Sequence, residues 1–214
     1  MIDDVYSSGS RINAMLAEAG AAALTQPQTN QFEAYLSLLL SWNERVNLTA
    51  IRDEEGILSR HFVESILCAR SLPDGIVTLL DLGSGAGFPG IPIALCRPEI
   101  SVTLAESQGK KAAFLNEALR VLGVRGMVHA QRAELLTALF DCVTLRAVDR
   151  MEQAVQAARR LVRPGGWLAL MTTGTELGHL QAAVGEELTW SRTVQLPGSV
   201  DRLIAFGTAG TLRS

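Results

Sequence analysis

The chain of 214 residues predicts an α/β fold: a mostly parallel seven-stranded sheet with helices on both faces, preceded by a helical extension. Three observations carry this. Residues 79–90 read LLDLGSGAGFPG, an apolar run that closes on an acid and passes through four glycines into an apolar helix start. From residue 76 onward strand-like and helix-like segments alternate, which builds a parallel sheet through right-handed crossovers. The last two strand-like runs flank Pro197-Gly198, as a terminal antiparallel pair would.

The elements follow in order, with the extension assigned to 1–75 and the sheet-bearing domain to 76–214. Residues 10–23 have helical spacing through Ile12, Leu16 and Ala19. The stretch 26–30, which contains Pro27, reads as a polar break, with Thr29 or Asn30 capping a second helix to about residue 42 or 44. Its inner face is Phe32, Tyr35, Leu36, Leu39 and Leu40. Residues 43–53 have no period and form a loop that Asn43 and Asn47 can tie by Asx turns. A third helix spans 54–70, and Pro73-Asp74-Gly75 is a turn. Strands are expected at 76–82, 101–105, 127–130, 141–145, 167–171, 189–196 and 202–206. Helices are expected at 91–97, 110–122, 134–139, 151–162 and 175–184, with Pro98, Gly123 and Pro164-Gly165-Gly166 as stops.

With 48% apolar and 19% charged residues, the chain can bury a large core. Its start carries Asp3 and Asp4 with no basic, apolar leader, and no apolar run approaches the roughly 20 residues of a membrane span. A cytoplasmic protein without a membrane partner is expected. Cys68, Cys96 and Cys142 are widely spaced in apolar surroundings, with no Cys/His cluster, so neither disulfides nor a metal are expected. The net charge is −3, but it is unevenly spread: residues 107–163 hold ten Lys/Arg against five acids, and residues 1–106 six Arg against thirteen. Seventeen of the nineteen cations are Arg, which suits phosphate contact and base stacking.

A buried strand running into a glycine turn and a helix start is how parallel α/β folds hold nucleotide-like cofactors. Glycines admit positive φ and leave no Cβ between backbone and ligand. Gly85 to Gly90 fits the dinucleotide pattern G-x-G-x-x-G, and Glu106, 21 residues after Gly85, stands where a ribose-binding acid would. That pattern, however, puts its first glycine at the strand end, where Gly83 already stands. The spacing Asp81-x-Gly83-x-Gly85-x-Gly87 instead resembles motif I of S-adenosylmethionine-dependent methyltransferases, in which an acid ending the second strand takes the ribose hydroxyls. Glu106 matches that acid.

Further segments narrow the resemblance. NERVNLTAIRDEEGILSRHFVESI (43–66), GSGAGFPGIP (83–92), ESQGKKAAFL (106–115) and RAE (132–134) resemble the ribosomal small subunit methyltransferase G family, also called glucose-inhibited division protein B. The similarity spans about residues 30 to 170. It implies a Rossmann-like class I methyltransferase fold and methyl transfer from S-adenosylmethionine, leaving S-adenosylhomocysteine, to N7 of a guanine in the decoding-region loop of bacterial 16S rRNA. The implied partner is the 30S subunit or an assembly intermediate, and the enzyme is expected to be a monomer. The implied cofactor residues are Gly83, Phe88, Ala133, Glu134 and Arg146, joined through the general motif by Asp81, Gly85, Gly87 and Glu106. Arg146, at the end of strand four, is also the expected catalytic residue. The chain departs from the family at two places: Thr144-Leu145 precedes Arg146 where Ser is usual, and Met171 stands where many members carry Lys.

The chemistry agrees. Guanine N7 already presents a lone pair, so transfer needs alignment more than proton removal. Accordingly there is no catalytic triad pattern, His61, His129 and His179 are scattered, and Cys142 lies mid-strand where it cannot serve as an attacking thiolate. No Asn/Asp-Pro-Pro-aromatic tetrapeptide for exocyclic amines follows strand four. A small-molecule methyltransferase is the alternative. Candidate RNA contacts are Arg45, Asn47, Arg60, Lys110, Lys111 and Arg132, with Arg52, Arg146 and Arg150 in addition. His61 is assigned to local packing with Ser65, and Phe88 and Pro89 to shaping the pocket. Arg146→Ala is expected to weaken transfer more than folding.

Overall fold

The computed structural model describes residues 7–148 and 150–211. Helix α1 (Ser8–Glu18) starts at Ser7, whose hydroxyl accepts from the Ser10 N–H, and buries Ile12 and Leu16. Helix α2 (Gln26–Asn43) begins earlier than expected, so 26–30 is helix and not a break. Thr25 and Gln28 form a capping box, and Pro27 falls in the first turn, where its missing N–H has no helical partner to lose. The third expected helix is continuous in direction but not in pitch. It comprises α3 (Glu54–Gly56), a π-helical stretch Ile57–Val63, and α4 (Glu64–Ser71). In the π stretch the Glu64 N–H donates to the Ser59 carbonyl five residues back, and such bulges recur at functional sites.

The remaining elements are β1 (Thr78–Leu82), α5 (Gly90–Cys96), β2 (Ser101–Ala105), α6 (Gly109–Leu122), β3 (Gly126–His129), β4 (Phe140–Arg146), α7 (Met151–Leu161), β5 (Val162–Thr173), α8 (Gly174–Val184), β6 (Leu188–Gln195) and β7 (Arg202–Ala209). Two differ from expectation. The helix expected over 134–139 is a single 3-10 turn, Ala133–Leu135; only Ala133 and Leu136 reach the core while Leu135 and Leu139 stay exposed, too small a docked face to hold a longer helix. Strand β5 begins at Val162 because Phe140 pairs with Val162 and Cys142 with Trp167, and Pro164-Gly165-Gly166 bulges out between them.

The sheet order is β3-β2-β1-β4-β5-β7-β6. The first five strands run parallel, while β7 inserts antiparallel between β5 and β6. Alternation divides the core. On one face Leu79, Val102, Leu104, Cys142, Ala169 and Met171 pack with α5, α6 and the N-terminal helices. On the other, Leu80, Leu82, Val143, Leu145, Leu168 and Leu170 pack with α7 and α8. The N-terminal helices thus share one hydrophobic cluster with the sheet. Their bridge is aromatic: the Tyr35 ring lies 5.2 Å from both Phe62 and Phe88, and Phe114 backs it at 6.5 Å.

Candidate active site

Strand order reverses beside β1, which pairs with β2 on one side and β4 on the other, so a crevice opens beyond the carboxyl ends of these strands. A cleft of about 830 Å³ fills it. Its walls are the glycine loop at 83–86 with Phe88, residues 106–108 after β2, 146–148 after β4 and 171–173 at the end of β5. The fourth side comes from the extension, through 48–51, Arg60, His61 and Glu64.

The loop hangs from β2. The Gly83 and Ser84 N–H groups both donate to the Ala105 carbonyl at 3.0 Å, and the Ser84 hydroxyl donates to the Asp81 carbonyl at 2.8 Å. The Gly85 N–H donates to Glu106 Oε2 at 3.0 Å, and the Gln108 N–H donates to Oε1 at 2.7 Å. Glu106 is therefore oriented by backbone, and each of its oxygens keeps a lone pair for another donor. A Cβ added at Gly85 would meet nothing closer than the Gly83 carbonyl at 3.9 Å, so the space before it is open.

Two motif residues stand behind the loop and not in the cleft. Asp81, expected among the cofactor contacts, is fully buried: Thr144 donates to its Oδ1 at 2.8 Å and the Gly90 N–H to its Oδ2 at 3.1 Å. Burial pushes its carboxyl up to about 6, against the pull of those hydrogen bonds. It ties β1 to β4 and to the start of α5. Gly87 does not line the cleft either. A Cβ there would sit 2.5 Å from Ile91 Cδ1 and 2.7 Å from the Tyr35 hydroxyl, which itself donates to the Ala86 carbonyl at 2.5 Å.

Arg146 lines the cleft, but its guanidinium is engaged. Nη2 donates to the Arg60 carbonyl at 2.6 Å and to Glu64 Oε2 at 3.0 Å, and Nη1 donates to Ser65 Oγ at 3.4 Å. The other oxygen of Glu64 accepts from Arg202 Nε at 2.8 Å. Neither Glu64 nor Arg202 stands out in the sequence. The sole local signal for Glu64 is a carboxylate directly after Phe62-Val63, on the buried side of its helix.

His61, expected to pack and not to catalyse, packs in the cleft wall, beyond the neighbourhood of Ser65 on its own helix. The π turn brings its ring over Phe88, 4.8 Å between centroids and 14° between planes, and its Nε2 lies 2.6 Å from Thr49 Oγ1. Burial, then the charges of Arg146 and Arg60, lower its pKa to about 3, so it is neutral at physiological pH.

Of the RNA candidates, Arg60 and Lys111 line the cleft, whereas Arg45, Asn47, Lys110 and Arg132 lie on the surface outside its lining. Asn47 accepts from Arg52 at 2.9 Å, and Asn43 Oδ1 accepts from the Leu48 and Thr49 N–H groups at 3.0 and 3.3 Å, which shapes the loop. Arg150 lines a neighbouring cavity of about 380 Å³. Ala133 is buried in the turn after β3 and does not line the cleft, and the side chain of Glu134 lies outside the described residues. Met171 is buried in the cleft wall on the same sheet face as Arg202, which pairs with Thr173 two residues along β5. Among the described residues no group of carboxylates, His and Cys could hold a metal ion, and no helix is long and apolar enough to cross a membrane.

This sheet order with a glycine loop at its switch point and an acid ending β2 defines a class I S-adenosylmethionine-dependent methyltransferase. Solved relatives share the fold: a methyltransferase from Pyrococcus furiosus superposes with TM-score 0.61 at 12% identity, covering 85% of this chain and 99% of that one. A SAM dependent methyltransferase from Aquifex aeolicus gives 0.58 at 16%, covering 73% and 94%. The family model described as rRNA small subunit methyltransferase G matches residues 28–194. A ribosomal RNA small subunit methyltransferase G of Roseiflexus sp. (strain RS-1) is 46% identical over 157 residues, 70% of this chain and 67% of the relative. That of Xanthomonas oryzae pv. oryzae is 42% identical over 169 residues, 77% and 78%. The chain belongs to the rRNA small subunit methyltransferase G family, and it is an rRNA methyltransferase.

Proposed function

We propose that the chain transfers a methyl group from S-adenosylmethionine to N7 of a guanine in the decoding-region loop of 16S rRNA, acting as a cytoplasmic monomer on the 30S subunit or an assembly intermediate. The observation that carries this is the cleft itself: an open glycine backbone at Gly85 and the backbone-oriented carboxylate of Glu106 share one cavity with the extension wall of Arg60, His61 and Glu64. When bound, S-adenosylmethionine supplies an electrophilic methyl group on a positively charged sulfur.

The residues present fit that cofactor. Glu106 accepts the two ribose hydroxyls with its remaining lone pairs. Gly83 and Gly85 let the loop backbone approach without a Cβ, and Phe88, clamped between His61 and Tyr35, holds the loop's shape. Ala133 and Glu134, in the turn after β3, are assigned to the adenine edge. Arg146, immobilised by Glu64 and the Arg60 carbonyl, offers positive charge at the end of β4 and orients the reactants. Asp81 and Gly87 support the loop from behind.

No proton has to leave before attack, because N7 carries a free lone pair. The contribution of the protein is alignment of N7 with the methyl–sulfur bond and exclusion of water. Neutral His61, hydrogen-bonded to Thr49, suits a rigid apolar wall better than a proton relay. Arg60 and Lys111 at the cleft, with Arg45, Asn47, Lys110 and Arg132 on the surrounding surface, are assigned to RNA.

The test is transfer from radiolabelled S-adenosylmethionine to 30S subunits from cells lacking the endogenous guanine-N7 enzyme, followed by borohydride–aniline cleavage, which breaks the chain at 7-methylguanosine. Label with a single cut in the decoding-region loop is expected. Cofactor binding without label on any ribosomal RNA would overturn the reading and favour a small-molecule acceptor.

A further inference from the structure

The buried ion cluster beneath the cleft is unbalanced. Glu64 has a side chain 3% exposed, yet it faces two guanidinium groups, Arg146 at 12% and Arg202 at 28%. The carboxylate divides evenly, Oε2 at 3.0 Å from Arg146 and Oε1 at 2.8 Å from Arg202. Glu64, with the buried Asp81 acting on Arg146 from behind, thus faces Arg146, Arg202 and the nearby Arg60, and the cations remain in excess. The other carboxylates lining the cleft, Glu106 and Glu176, form no ion pair with either arginine. Buried or half-buried charge without a partner is costly, so a surplus cation at a cleft wall marks a place where an anion belongs.

The two arginines are not equivalent. Arg146 divides its guanidinium among Glu64, Ser65 and the Arg60 carbonyl. Arg202 gives only its Nε to Glu64, which leaves both terminal nitrogens, the planar fork suited to an oxyanion, without a hydrogen bond to another described residue. Its backbone is held as well: its N–H donates to Ser199 Oγ at 3.0 Å, and its carbonyl accepts from the Leu196 N–H at 2.9 Å. At the first position of β7 it pairs with Thr173, at the end of the sheet where the cleft opens, and it lines that cleft.

We propose that Arg202 is an oxyanion-binding residue of this cleft, and that Glu64 is the positioning residue which aims it while holding Arg146 for the transfer step. The ligand group is a phosphate or carboxylate. Two sources offer one: a backbone phosphate of the RNA and the methionine carboxylate of the cofactor. This rests on the cleft being the methyl-transfer site.

The experiment compares the wild type with Arg202→Gln, Arg202→Lys and the double variant Glu64→Gln/Arg202→Gln, with Arg97→Gln, a half-buried partner of Glu99 outside the cleft, as control. The double variant removes both charges together, so it keeps a folded reference if Arg202→Gln alone strands Glu64. Circular dichroism verifies folding, calorimetry reads S-adenosylmethionine affinity, and filter binding against salt reads 16S rRNA affinity. If the anion is a phosphate, Arg202→Gln weakens RNA binding about tenfold and lowers the salt slope by about one, with cofactor affinity unchanged. If it is the cofactor carboxylate, cofactor affinity falls about tenfold and the RNA slope stays. Arg202→Lys recovers part of either loss, since it keeps charge without the fork. Wild-type affinity for both ligands in the folded double variant overturns the proposal. Wild-type failure to methylate any RNA would instead overturn the functional reading, and the two binding measurements would still report on Arg202.

Discussion

Gly85 and Gly87 sit two residues apart in one loop, both at positive φ, yet they answer to different neighbours. In front, the missing Cβ of Gly85 faces open cleft. Behind, that of Gly87 faces the Tyr35 hydroxyl and Ile91. The front of the loop is open backbone beside the Glu106 carboxylate, which the Gly85 and Gln108 N–H groups orient. The back is made of aromatic packing and a buried Asp81. The same residue type thus keeps a cleft open on one side and permits close packing on the other, and a spaced glycine motif reports both together.

The largest effect that tests this division is Arg146→Ala. It leaves Glu64 paired with Arg202 but strips hydrogen bonds from Glu64 Oε2, the Arg60 carbonyl and Ser65 Oγ, so a stability loss of about 3–5 kcal/mol is expected in chemical denaturation, besides lost transfer. The same variant tests the expectation from sequence that transfer suffers more than folding. A midpoint unchanged from wild type would mean that Glu64 is satisfied by Arg202 alone. Next is the back of the loop: Gly87→Ala forces a left-handed alanine against Tyr35, and about 2–4 kcal/mol of stability should be lost. The front behaves oppositely. Gly85→Asp, a residue that tolerates left-handed backbone, should keep its melting temperature within a few degrees while S-adenosylhomocysteine affinity falls at least about a hundredfold. Matching stability losses in the two glycine variants would erase the distinction.

Smaller effects sharpen it. Burial raises the Asp81 carboxyl to about 6 in the folded protein. The native state therefore binds a proton more tightly than the unfolded chain, and the stability this group contributes at low pH is lost as pH rises from about 4 to about 6. Relative to Asp81→Asn, wild type should lose on the order of 1–3 kcal/mol across that window, and parallel pH profiles would refute a buried, ionising Asp81. Tyr35→Phe deletes the hydrogen bond to the Ala86 carbonyl and should cost about 1–2 kcal/mol, with cofactor affinity changing little.

Much of the fold was legible because it is written in local periods. Strand β2 has the predicted bounds, and the others except β5 agree within three residues, since buried strands are short apolar runs closed by Gly, Pro or a charge. Capping and packing decided the misses. Thr25 with Gln28 outweighed the appearance of a break at Pro27, and too small a docked face cut the helix after β3 to one turn. Of the site, Gly83, Gly85, Phe88, Glu106, Arg60, Lys111 and Arg146 line one cleft, while Asp81 and Gly87 support it from behind. Glu64, Arg202 and the reach of His61 escaped. Glu64 and Arg202 are 138 residues apart, and nothing local to either names the other.

By itself the sequence determined the parallel sheet, the glycine loop at its switch point and the acid that faces it, because backbone propensity, apolar period and motif spacing are short-range properties of the chain. The family resemblance in 43–66 and 83–92 followed from the same kind of local text. Tertiary structure alone decided which face each motif residue presents, and it assembled Arg146, Glu64 and Arg202 into one buried cluster. Electrostatic pairing in a low-dielectric interior depends on distances of about 3 Å between atoms, and only the folded sheet brings β4, β7 and the extension that close.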